Sequence, residues 1–202
     1  MALSAFFRRQ PNEHERARAD RLPPGQYLTE KWPVLHYSGV PRVDLATWDF
    51  VLTGLVERPL RLSYRELQQL PRTPLRADIH CVTRWSLLDS TWEGIPVEEV
   101  MKLVQLKPNA THVLVHAEQG YTTNLRLDDF LRPENLLVDT RDGQLITPEH
   151  GWPLRLFVPR LYFWKSAKWV RGFEFLDRDQ PGFWERYGYH KHGDPWQEER
   201  YG

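Results

Sequence analysis

Apolar and polar positions alternate only over short stretches of this chain. Residues 47–54 are rich in β-formers and stop at Gly54, and Leu60-Arg61-Leu62 alternates in the same way. Ser63-Tyr64-Arg65-Glu66 has the form of a capping box opening a short helix over 67–70, ended by Pro71. Residues 75–81 read as extended and lead into a loop at Thr83. Val97, Val100, Met101 and Val104 carry helical spacing over 97–106, closed by Pro108. Residues 111–117 are predicted to form a strand with His112 and His116 on one face. A polar loop is expected at 120–124 and a helical turn at 127–131. Residues 136–138 and 145–146 flank a turn at Arg141-Asp142-Gly143, and 154–158 and 170–175 are further strands. Beyond Asp177 aromatic and charged residues follow without a clear period. Many short strands with a few short helices predict an α+β fold of mixed β-sheets, not a doubly wound parallel one.

Composition narrows the classes open to such a fold. A chain of 202 residues suits one domain, here 31–202, preceded by a polar arm over 1–30. Lys plus Arg and Asp plus Glu both number 27, so no global field recruits nucleic acid. No Gly-x-Gly-x-x-Gly or Gly-Lys-Ser/Thr loop occurs, which argues against the common nucleotide sites. No apolar run approaches the roughly 18 residues of a membrane span. Arg8-Arg9 is followed by charged residues instead of an apolar stretch, so no export signal is expected and a cytoplasmic location is predicted.

Cys81 is the single cysteine, set in Asp78-Ile79-His80-Cys81-Val82-Thr83-Arg84-Trp85-Ser86. A lone thiol excludes an internal disulfide or a four-cysteine metal site. It leaves a buried spectator, a nucleophile, or one protein ligand to a metal that brings its other ligands. His80 is a weak base for it, since adjacent strand side chains point to opposite faces. Arg155, Arg160, Lys165 and Lys168 cluster in a neutral chain, beside a loop rich in backbone donors. They read either as an anion site for a phosphate or as a solvated basic strand edge. His112 and His116 lack a third ligand and read as structural histidines. His190 and His192 read as a solvated turn.

At these residues a resemblance becomes specific. His150-Gly151-x-Pro153-x-Arg155, then Val158-Pro159, then Ser166-Ala167-Lys168-Trp169 resemble the pterin-phosphate-binding stretch of the sulfite oxidase family of molybdenum enzymes. The Cys81 loop is similar to the loop whose cysteine binds molybdenum there. Gly120-Tyr121-Thr122-Thr123 matches a family loop near the metal. Trp92-Glu93-Gly94-Ile95-Pro96-Val97 is closest to the small stand-alone bacterial branch. The resemblance runs in order from residue 32 to 176.

It implies the sulfite oxidase-type molybdopterin-binding fold and a molybdenum–molybdopterin cofactor. Cys81 would be the metal ligand, with Arg84 and Trp85 shaping the substrate mouth. His36, Tyr37, Thr122, His150, Arg155, Ser166, Ala167 and Lys168 would be cofactor contacts. The activity implied is two-electron oxygen-atom transfer on a small substrate (a sulfoxide, an N-oxide or a sulfite-like anion), served by a separate electron-transfer protein or carrier. The chain also departs from the family. Leu35 stands where sulfite oxidases place an anion-binding arginine, and Gln180 or Pro181 stands where a tyrosine precedes a later Trp, here Trp184. A pterin-binding module without turnover, or a Cys81-dependent hydrolase or transferase, are the alternatives.

Overall fold

The computed structural model describes residues 19–202. The twin arginine and most of the predicted arm lie outside the described residues. Two sheets carry the fold. In the six-stranded sheet, β5 (Trp85–Pro96) is central. Its first residues run parallel to β1 (Tyr27–Leu28), and β4 (Thr73–His80) pairs antiparallel along its length. Its far half pairs with β8 (Leu136–Arg141), which continues to β9 (Gln144–Leu145) and β10 (Arg155–Phe157). Residues 27–28 of the expected arm therefore belong to this sheet. The five-stranded sheet runs β3 (Leu60–Ser63), β2 (Asp49–Gly54), β11 (Val170–Leu176), β6 (His112–Ala117), β7 (Thr122–Arg126), with β2 and β11 parallel. The predicted α+β class of mixed sheets with short helices is what the chain adopts.

Among the described residues, four short α-helices accompany these strands, three between strands and one after the last. The capping box is formed: the Ser63 hydroxyl accepts from the Glu66 amide, and the Glu66 carboxylate accepts from the Ser63 amide at 2.8 Å. It opens α1 at Tyr64–Leu67, earlier than the expected 67–70. α2 covers only Val97–Met101, because residues further on are drawn into backbone pairing. The Glu57 amide donates to Gln105, and the Lys107 amide donates to Leu55. α3 (Leu127–Phe130) and α4 (Phe183–Arg186) complete the set. Residues 120–124 are not a polar loop. Thr122 to Arg126 form β7, and Thr123 and Asn124 are buried because Glu185 and Asp179 bind their polar groups. Gly94 is required where β5 crosses β8, since a Cβ there would lie 2.2 Å from the Leu137 carbonyl oxygen.

Two apolar clusters result. One, built on Phe50, Leu52, Val113, Phe173 and Phe175, fills the space behind the five-stranded sheet. The other is aromatic (Trp85, Trp92, Phe157, Tyr162, Phe163, Trp164) and lies directly under the Cys81 turn. The site is built on this second cluster.

Candidate active site

β4 delivers Cys81 to a tight turn. The Cys81 amide donates to the Trp85 carbonyl at 2.9 Å, and the Arg84 amide donates back to Cys81 at 2.9 Å. Arg84 takes a left-handed conformation at φ 76°. The thiol is 7% exposed, and the Thr83 hydroxyl donates to Sγ at 3.2 Å. Burial pushes the thiol pKa up, while Thr83 and the Arg155 and Arg200 cations oppose that shift. His80 turns away, its Nδ1 2.8 Å from the Ser86 hydroxyl, and burial holds its pKa down to about 4. Sγ therefore has no adjacent histidine base.

Cys81 faces a cavity of about 320 Å³ whose lining includes no carboxylate. Arg155 and Lys168 stand in its wall. Arg155 is 3% exposed; its Nη1 donates to the His150 carbonyl at 2.9 Å, and its guanidinium lies 3.9 Å from the Phe163 ring centroid. Its Nε is buried with no hydrogen-bond partner. Burial lowers its pKa to about 9. Lys168 Nζ donates only to the Glu149 carbonyl, at 2.5 Å, and burial plus the nearby Arg155 lower its pKa to about 7. Gly151 lets these two residues approach: at φ 115°, its Cβ would lie 3.1 Å from Lys168 Cβ and 3.3 Å from Arg155 Cβ. Ser166 and Ala167 line the same end, and the Ser166 hydroxyl accepts from the Val158 amide. Two cations that hydrogen-bond no carboxylate, one of them with an orphaned N–H, leave a place for an anion, although the Glu149 carboxylate acts on Lys168 from a distance.

The remaining wall is aromatic. Trp32 stacks on His150 at 3.7 Å, and Tyr37 stacks on Phe183 at 4.2 Å while donating its hydroxyl to the Gln119 carbonyl. The segment 32–37 thereby spans the cavity mouth and carries Leu35 and His36 into its lining. Tyr121, Trp184 and Tyr189 also line it, and sequence reasoning missed all three. Tyr121 donates to the Trp164 carbonyl at 2.8 Å, and Trp184 stacks on Tyr189 at 5.0 Å. Trp184 and Tyr189 come from the tail, which has no period to reveal them. The signal available was Tyr121 itself, the neighbour of the chosen Thr122.

Eight of the predicted site residues line this cavity: Cys81, Trp85, His36, Tyr37, Arg155, Ser166, Ala167 and Lys168. Several others are placed elsewhere. Arg84 is exposed and its guanidinium lies beside Gly25, outside the cavity, because the positive φ swings it outward. Thr122 sits in β7 with its hydroxyl buried, behind Tyr121. His150 is one layer back, under Trp32, with a pKa of about 4 set by burial. Arg160 is exposed away from the lining. Lys165 belongs to no anion site: it is fully buried and donates to Glu185 at 2.6 Å and to Asn124. The turn at 190–193 is not simply solvated. His192 bonds Glu199 at 2.7 Å and lies 3.2 Å from Asp129, and both contacts raise its pKa. His116 pairs with Glu174 at 2.8 Å, a structural role.

A family model described as the oxidoreductase molybdopterin binding domain matches residues 37–184. The chain belongs to this family. Its cavity fits a molybdopterin: it holds one thiol and two cations that hydrogen-bond no carboxylate. The chain is 48% identical, over 90% of its length and 92% of the other's, to the uncharacterized oxidoreductase YuiH of Bacillus subtilis. It is 29% identical to the protein-methionine-sulfoxide reductase catalytic subunit MsrP of Gluconobacter oxydans, covering 85% of this chain and 68% of that one. Among solved structures, the sulfane dehydrogenase SoxCD of Paracoccus pantotrophus superposes with a TM-score of 0.67 at 18% identity. That match covers 93% of this chain and 57% of the other, and shows the shared fold. No helix among the described residues is long and apolar enough to cross a membrane.

Proposed function

We propose that this oxidoreductase holds a molybdenum–molybdopterin cofactor, with Cys81 as its one protein ligand, and transfers an oxygen atom and two electrons to or from a small substrate. The observation that carries the reading is the pairing of one buried thiol with a carboxylate-free cavity holding Arg155 and Lys168. A bound molybdenum–pterin supplies the two-electron exchange of oxygen, and the protein supplies binding, orientation and electrostatics. Thr83 steadies Sγ, and Arg155 and Lys168 compensate the pterin phosphate. Trp32, His36 and Tyr37 cover that end from solvent. With one cysteine and no haem-attachment motif, electrons come from a separate carrier protein or small reductant.

The substrate proposed is a neutral oxo compound such as a sulfoxide or N-oxide. Leu35 lines the cavity where sulfite oxidases place an anion-gripping arginine, and neither Arg84 nor Arg160 reaches the lining to replace it. Among the described residues its cations are Arg155 and Lys168, which would hold the pterin phosphate. Reduction of a sulfoxide takes two protons and two electrons and yields a sulfide and water. Two assays on the loaded protein test this: sulfoxide reduction with a reduced dye, and sulfite oxidation with an artificial acceptor. Faster turnover of the sulfoxide is expected. Efficient oxidation of micromolar sulfite would overturn the substrate assignment.

A further inference from the structure

Two buried arginines lie close enough to Cys81 to influence its charge, Arg155 and Arg200. Arg155 belongs to the cavity already described. Arg200 lies outside both the lining and the matched residues 37–184. It is 6% exposed, yet it forms no ion pair with a carboxylate among the described residues. Its hydrogen bonds go to backbone: Nη1 to the Val82 carbonyl at 2.7 Å and Nη2 to the Pro24 carbonyl at 3.3 Å. Its Nε is buried without a partner, and its guanidinium lies 4.9 Å from the Tyr162 ring centroid. The Glu198 carboxylate and the Arg84 guanidinium share its neighbourhood around Gly25 without pairing with it.

Cys81 and Val82 each present a carbonyl to a side chain from a flanking segment. The Gln26 amide donates to Cys81 at 3.0 Å, and Arg200 donates to Val82. The backbone adds to this, with the Tyr27 amide donating to Arg84 at 2.8 Å. Arg200 is itself held by the tail: its carbonyl accepts from the His190 amide, and Tyr189 bridges to Tyr201. One tail hairpin thus sets Tyr189 in the cavity wall and Arg200 beneath the cysteine turn. The planar fork of an arginine holds the Val82 and Pro24 carbonyls in a fixed geometry, which the rotatable ammonium of a lysine does not.

We propose that Arg200, with Gln26, is a positioning residue for Cys81: a latch that holds the 81–84 turn in its ligating shape and keeps a positive charge behind the sulfur. This rests on the reading of Cys81 as the metal ligand. Arg200→Met removes both fork and charge, Arg200→Lys keeps the charge without the planar fork, and Gln26→Ala removes only the donor on Cys81. Arg58→Met, at an exposed position, is the control.

Hydrogen exchange of the metal-free protein reads the latch. The peptide covering 80–88 is expected to exchange at least about tenfold faster in Arg200→Met, the effect of losing one charge-assisted bond, with β11 peptides unchanged. The midpoint potential of the loaded centre, followed by electron paramagnetic resonance, reads the charge. It should fall in Arg200→Met and stay near wild type in Arg200→Lys and Gln26→Ala. Loop exchange equal to that of Arg58→Met overturns the latch, and an unchanged potential in Arg200→Met overturns the electrostatic role. If Arg200→Met does not fold, Gln26→Ala must still loosen the loop, and no change there overturns the latch. A wild type that takes up no molybdenum refutes Cys81 as a ligand, and the electrostatic half of the proposal with it.

Discussion

At the scale of single residues, the cavity sorts its cations by what they lack. Arg155 and Lys168 lack carboxylates and face the cavity, whereas Lys165 has Glu185 and faces the core. Truncating Arg155 or Lys168 to Ala should therefore lower cofactor retention by about 2–5 kcal/mol of binding, the usual cost of stripping a partner from a charge-assisted pair. Arg58→Ala should leave retention unchanged, which metal and pterin analysis after gel filtration will check. Lys168 adds a pH dependence of definite sign. Its folded pKa of about 7 lies below the ordinary 10.5, so between these values the unfolded chain holds a proton that the metal-free folded chain has released. This group's contribution to stability rises with pH across that window. Anion binding favours protonated Lys168 and so runs the other way: affinity of the metal-free protein for sulfate, whose charge is constant in this range, should fall between pH 6.5 and 8.5. Titration calorimetry at the two pH values measures it, and Lys168→Met should flatten the difference. Cys81, Arg155 and Lys168 were legible in the sequence because each is an unusual residue in a short motif. Arg84 misled because nearness in sequence says nothing about a positive φ, and Arg200, 119 positions from Cys81, has no local signal at all.

Among the elements, the strands with clean alternation were legible and those with polar interiors were not. β2, β6 and β11 bury Phe50, Leu52, Val113, Val115, Phe173 and Phe175 at period two. β7 buries Thr123 and Asn124, and β5 carries Asp89, Ser90 and Gly94 with register shifts along its pairing, so neither reads as a strand. Thr123 and Asn124 of β7 are satisfied by long-range partners, centred on the buried Lys165–Glu185 pair at 2.6 Å. Glu185 sits on α4 and also accepts from the Trp164 indole at 2.8 Å, tying the tail to a cavity wall. Lys165→Met leaves that carboxylate buried without its cation and should cost about 3–5 kcal/mol of stability. The double variant Lys165→Met/Glu185→Leu removes both charges and should recover part of the loss. Chemical denaturation of the three proteins checks the order, and a double variant no more stable than Lys165→Met would contradict it.

For the whole molecule, the cavity is a product of long-range assembly. The Cys81 turn comes from the six-stranded sheet, the cationic end from β10 and its connection to β11, and the aromatic wall from the 32–37 segment and the tail. The sequence showed the first two as motifs, since each is continuous in the chain. The aromatic wall is assembled from positions more than a hundred residues apart and became visible only in three dimensions. Its apolar character and the absence of a third cation are what direct the substrate reading toward neutral oxo compounds. The claim beneath all of this is that Cys81 completes a molybdenum–pterin centre. Elemental and pterin analysis of protein made in a molybdate-replete host tests it most directly, on wild type and on Cys81→Ser. The account predicts about one molybdenum and one pterin per wild-type chain, and a folded Cys81→Ser protein that has lost most activity, since a hydroxyl is a harder and poorer ligand for this metal. A wild type without molybdenum, or a Cys81→Ser protein with full metal content and full activity, would contradict it.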